Sequence, residues 1–407
     1  RKYGGEQVNE QTIQFEKGPN NRIFMRVVSL ISRADSTQTI AKAVKNSYLD
    51  PIVAAFEIKA YGKDSTSSII DVTDFFKGDN QAVSLSSFEK RNFNLSGLAS
   101  DRSYIETIKS YPINIEVRTV KTYNASSPMP GSPAGGSFIP AAANAGAVTF
   151  ELNTSILLLP KTPMGRRLFD SRVGYFADNF VEYSDDQQKV KNQVFAVRYR
   201  LEPKPQDLEK YKRGELVEPM KPIVYYVDPA TPKKWVPYLI AGVNDWNIAF
   251  EKAGWKNAIV GKEWPNDSTM SLEDARFSVI RYFASDIENA YGPQVHDPRS
   301  GEILESHVGW YHNVMSLVHD WYMVQTAAVD PAARKMHFDD ELMGNLIRFV
   351  SSHEIGHTLG LRHNMGSSSK TPVEKLRDKT WVEANGHTAS IMDYARFNYV
   401  AQPEDKI

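Results

Sequence analysis

The sequence contains no cysteine. Disulfide bonds, a thiol nucleophile and thiolate metal ligands are therefore all excluded. It also lacks an excess of either charge: 48 lysines and arginines face 49 aspartates and glutamates, a net charge of -1. That balance argues against a nucleic-acid partner and against attachment to an anionic membrane by charge. No long apolar run is present. The longest weakly polar stretch, Phe138 to Phe150, is too short and broken for the about 20 residues that span a bilayer. The opening residues RKYGGEQVNE carry no apolar signal core. Histidine is scarce as well: there are nine, none before His296.

What is there suits a globular protein. Apolar residues make up 41% and charged residues 24% of 407, a length that fits two or three domains. The first half is rich in β-branched and aromatic residues, in runs such as RIFMRVVSLI (22–31), INIEVRTVKTY (113–123) and AVTFELNTSILLL (147–159). Several alternate apolar with polar, as half-buried strands do. Residues 124–146, rich in Pro, Gly, Ser and Ala, read as an exposed loop. Residues 203–222, dense in charge and proline, read as a linker. After it, IVYYVD (223–228) suggests a buried strand and 232–254 a single amphipathic helix. FSVIRYFA (277–284) and GEILESHVGWY (301–311) suggest further strands. A second helix is expected from Asp339 onward, with Leu342, Leu346, Phe349 and Val350 on one stripe. The expected fold class is α+β: a β-rich N-terminal domain over 1–210, then a mixed α/β domain over 211–407.

That second helix runs into SSHEIGHTLGLRHN (351–364). On a helix, His353 and His357 share a face one turn apart, so two imidazoles can meet one metal ion. Glu354 is offset by about a quarter turn and can reach a water on that metal without being a ligand. Gly360 is placed to end the helix with a left-handed turn, sending His363 back as a third nitrogen. Three imidazoles with an open fourth position describe a catalytic zinc site and not a closed structural one. Zinc would lower the pKa of its water to about 7, and Glu354 would take the proton as general base.

HEIGHTLGLRH matches HExxHxxGxxH, and in this the sequence resembles the metzincin clan of zinc metallopeptidases. SIMDY (390–394) resembles the clan's second signature, a tight turn with a methionine beneath the metal. The resemblance implies that Met392 supports the histidine floor and that Tyr394 contacts zinc or the transition state. Together with the C-terminal residues ARFNYVAQPEDKI, these motifs look like a bacterial family of large zinc-dependent metalloproteases with a preceding domain of unknown function. It implies a metzincin-like fold over 211–407, a twisted mixed sheet with an active-site helix and Met-turn. It also implies one zinc per chain, an extracytoplasmic location, and further sequence before Arg1 and after Ile407. Asn364, after the third histidine, departs from the residues that mark the well-studied subfamilies. In the clan an edge strand borders the cleft and pairs with substrate. GEILESHVGWY reads as that strand, which makes Gly309 and Trp310 candidate substrate-binding residues.

The expected activity is endopeptidase, with a protein or peptide substrate. A zinc amidase on a cell-wall peptide or an amide-bearing sugar uses the same chemistry. A binding or adhesion protein with a vestigial site is the other class, against which an intact Glu354 speaks. His296, His307, His312, His319, His337 and His387 have the residue type for a second metal but irregular spacing, and are read as solvated or hydrogen-bonded. The sequence does not specify the oligomeric state.

Overall fold

A computed structural model describes Gly5, residues 7–63, 66–125 and 145–407. Most of the stretch read as an exposed loop, 124–146, lies outside the described residues. The chain forms two compact units. One holds residues up to Leu159 together with Asn179–Gln193; the other holds Pro160–Asp178 and Val194–Ile407.

The first unit is built mainly on two four-stranded antiparallel sheets, beside a smaller sheet in which Ala177–Tyr183 pairs parallel with Ser32–Ala34. Ile13–Gly18, Arg22–Val27, Ile52–Tyr61 and Ser68–Ile70 form one, in that order. Ile23 lies opposite Phe56 there, and both are buried. In the other, Asn114–Ala125 is central and pairs with Ala147–Leu157, Tyr104–Ser110 and Leu95–Leu98. Phe76, Val83 and Val117 form a small core. The β-branched and aromatic runs of the first half thus become strands, because alternate positions bury one face.

The second unit carries the site. Its sheet has five strands, in the order Ile259–Glu263, Ile223–Val227, Ser278–Phe283, His307–Tyr311, Ala290–Tyr291. The first four are parallel and the last is antiparallel. Ile223, Tyr225 and Val227 turn inward onto Leu239, Val243, Leu346, Ile347 and Ile355 from two helices, Val236–Asn244 and the active-site helix Asp340–Thr358.

Three expectations are corrected. GEILESHVGWY is not an edge strand: it splits at Ser306 into Glu302–Glu305, which forms a hairpin with Val295–Asp297, and His307–Tyr311. The latter is paired on both sides, with Trp310 opposite Ala290 and Gly309 opposite Tyr291. Trp310 is 2% exposed, and a Cβ on Gly309 would collide with the Tyr291 ring. Neither residue has a free edge for substrate; the outer strand on that side is Ala290–Tyr291. Second, 232–254 is two helices, Val236–Asn244 and Asn247–Lys252. At the junction Asp245 and Trp246 bind the active-site helix: Asp245 meets the side chains of Arg348 and Ser352, and Trp246 Nε1 donates to the Ser352 backbone carbonyl at 2.8 Å. Third, 203–222 is folded onto the second unit. It contains a short helix, Leu208–Lys212, and Val217 bridges to Trp255. Tyr211 lies against Trp255 with ring centroids 4.7 Å apart. Its charged side chains face water while Tyr211 and Val217 pack, which the density of charge concealed.

Candidate metal centre

The active-site helix is capped at both ends. Asp339 accepts the Leu342 N–H at 2.9 Å at its start. At its end Gly360 takes φ +100°, Gly360 N donates to His357 O at 2.9 Å and Leu361 N to Gly356 O at 3.0 Å. This paired pattern reverses the chain after the helix. The Gly360 backbone also lies against the Val197 carbonyl, where a Cβ would have no room. The expected turn at Gly360 is therefore present, for the reason given by its conformational freedom.

The reversal brings three histidines together. His363 Nε2 lies 3.2 Å from His353 Nε2 and 3.0 Å from His357 Nε2. Tetrahedral ligands at zinc–nitrogen distances near 2.05 Å stand about 3.3 Å apart. Zinc therefore fits these nitrogens with small adjustments. The other ring nitrogens are held by backbone: His353 Nδ1 donates to Ile391 O at 2.7 Å, and His357 Nδ1 to Leu361 O at 2.8 Å. A proton kept on Nδ1 leaves the Nε2 lone pair for a cation. Burial lowers the pKa of all three rings, His353 to about 4, so they are neutral at ordinary pH. Among the described residues no other group of three His, Asp or Glu presents ligand atoms this close.

Glu354 is 8% exposed, and burial raises its carboxyl pKa to about 8. Its backbone carbonyl abuts Gly292, just beyond the edge strand, where a Cβ would collide with it. Sheet edge and helix are thus in contact beside the histidines. Tyr394 is 48% exposed, with its ring centroid 4.4 Å from that of His363 and 5.7 Å from that of His353. Its pKa is raised, first by burial and then by the nearby Glu354 charge. Met392 is 2% exposed and fills the space under Gly356.

Several supporting residues were not identified from sequence. Gly356 lets Met392 pass beneath the helix. Asp393 ties the Met392 turn to the segment after His363 by accepting from Ser367 Oγ and Ser368 N, both at 2.7 Å. Asn364 N donates to Met392 O at 2.8 Å. Thr358 accepts from Tyr225 at 2.7 Å, and Tyr225 meets Tyr199 at 2.9 Å. The one available signal was position: Gly356 and Asp393 sit inside the two motifs.

Comparison with protein families agrees with this geometry. Residues 335–407 match the family described as Met-zincin, and residues 5–204 match a domain of unknown function, DUF5117. No curated protein and no solved structure matches the chain. The C-terminal part of the chain is therefore of the metzincin type of zinc metallopeptidase, and a domain of unknown function precedes it.

Proposed function

We propose that the protein is a zinc-dependent endopeptidase, active outside the cytoplasm, with one zinc per chain on His353, His357 and His363. The observation that supports this most is the convergence of three Nε2 atoms, two of them oriented by carbonyls, beside a buried carboxylate. Bound zinc supplies Lewis acidity, which polarises a carbonyl and lowers the pKa of a water to about 7. Glu354 accepts the proton of the attacking water and passes it to the leaving amine. Its burial raises the carboxyl's affinity for a proton, the direction a general base needs. The Tyr394 hydroxyl donates to the oxyanion that develops on the carbonyl. Met392 packs the floor under the histidines, and Gly360 makes the turn that delivers His363. The outer strand Ala290–Tyr291 borders the sheet beside the helix that carries His353 and His357.

The test is metal analysis of the pure protein, together with a panel of unfolded proteins and cell-wall fragments, with and without chelator. One zinc per chain and chelator-sensitive cleavage of unfolded protein are expected. Cleavage confined to wall fragments would replace endopeptidase by amidase, and absence of zinc would overturn the proposal.

A further inference from the structure

Phe176 takes no part in the chemistry above, yet it stands at the metal centre. Its ring centroid is 6.3 Å from that of His357, inclined at 48°. The side chain is 37% exposed. An exposed apolar residue alone means little, because much of any protein surface is apolar. What distinguishes Phe176 is how firmly its backbone is held. Phe176 N donates to Gly360 O at 2.7 Å, and Phe176 O accepts from Val197 N at 2.9 Å. On either side, Arg362 N donates to Gly174 O at 2.6 Å, and Tyr175 bridges antiparallel to Leu361. Residues 174–176 thus lie as a short strand against 360–362, the link between the second and third histidines. With both backbone groups committed, the backbone that carries the ring is fixed, and the ring stands beside His357.

A second aromatic ring borders the histidines. Tyr394 stands by His353 and His363, whereas Phe176 stands by His357. The three imidazoles thus have a phenol beside two of them and a phenyl ring beside the third. The phenol has a hydroxyl to donate. The phenyl ring can only contribute apolar contact, and rigid apolar walls beside a reacting centre select side chains.

We propose that Phe176 is a specificity-determining residue: it forms the wall of a subsite for an apolar substrate side chain next to the bond cleaved. The proposal rests on the zinc-peptidase reading of the site. It also assigns a task to sequence inside the region matched as a domain of unknown function, which includes residues 174–176.

The test uses the zinc-replete full chain and binding rather than turnover. The probes are peptide hydroxamates that differ only in the side chain next to the hydroxamate: leucine, phenylalanine, glycine or aspartate. Calorimetry gives their affinities for wild type, Phe176→Ala and Phe176→Leu, with zinc content measured on each sample. Wild type is expected to prefer leucine or phenylalanine over glycine by about tenfold or more, the scale of an apolar pocket contact. Phe176→Ala should bring that preference within about threefold, on the same scale, while binding of the glycine probe stays near wild type. Phe176→Leu, which keeps an apolar wall, should retain most of the preference. An unchanged preference in zinc-replete Phe176→Ala overturns the subsite. A wild type that takes up no zinc defeats the zinc reading itself, and the subsite falls with it; the zinc measurement separates the two failures.

Discussion

The Nδ1 atoms of His353 and His357 matter to the centre as much as their Nε2 atoms. Each is held by a carbonyl, Ile391 O or Leu361 O, and that sets which nitrogen faces the metal. The spacing of His353, His357 and His363 with Glu354 was legible in the sequence because a helix places residues four apart on one face. The carbonyl partners were not, since Ile391 comes from a turn 38 residues away in the chain. Tyr394 was legible only through likeness to a motif, and its role can be isolated. Tyr394→Phe removes the hydroxyl and leaves a ring of the same shape against His363. If the phenol donates to the oxyanion, kcat should fall by roughly 10–10³-fold with little change in KM or zinc content. Steady-state kinetics on zinc-replete protein checks this. An unchanged kcat would mean that Tyr394 only packs the turn.

The active-site helix is positioned from beneath, and Gly356 is where the support is closest. A Cβ there would meet Trp246 Cζ2 at 2.8 Å and would come closer still to Met392 Sδ. Two effects oppose each other in Gly356→Ala. Helix propensity favours alanine by about 1 kcal/mol. Overpacking a tight core costs about 1–3 kcal/mol. Overpacking should win, because Trp246 is pinned by its hydrogen bond to Ser352 O and Met392 is buried. Denaturant unfolding should therefore give a less stable variant with weaker zinc binding; a more stable one would mean that the contact yields easily. At this scale the sequence was a partial guide. The helix and three of the four parallel strands were legible as apolar stripes or runs, whereas Ile259–Glu263 was not. Nor was the outer strand, because Ala290–Tyr291 has two residues and no period to detect. The run 301–311 looked like an edge because alternation reveals which face is buried and not which neighbours a strand takes.

Across the whole molecule, sequence regions and compact units do not coincide. The family match to 5–204 spans both units, and Pro160–Asp178 lies with the metal centre. Composition suggested a linker at 203–222, but composition cannot reveal that Tyr211 and Val217 pack on Trp255. Two partly buried histidines add a whole-molecule property. His307 Nε2, which lies 3.8 Å from a Glu305 carboxylate oxygen, and His387 Nε2 are buried atoms that make no hydrogen bond, although 34% of the His307 side chain reaches solvent. Burial lowers both pKa values, that of His307 to about 4 with help from the Arg281 charge. A folded-state pKa below the unfolded one gives stability that is present above about pH 6.5 and lost as pH falls toward 4. Urea unfolding across that range should show the protein weakening on acidification. His307→Gln should weaken less, so its stability relative to wild type rises as pH falls; parallel curves would contradict this. The central claim, that Glu354 acts beside a zinc held by the three histidines, is tested most directly by comparing Glu354→Gln with wild type for zinc content and peptide hydrolysis in the same preparations. The expected result is full zinc in both and hydrolysis lower by about 10²-fold or more in the variant, the scale of lost general-base catalysis. Wild-type turnover in zinc-replete Glu354→Gln would contradict the account.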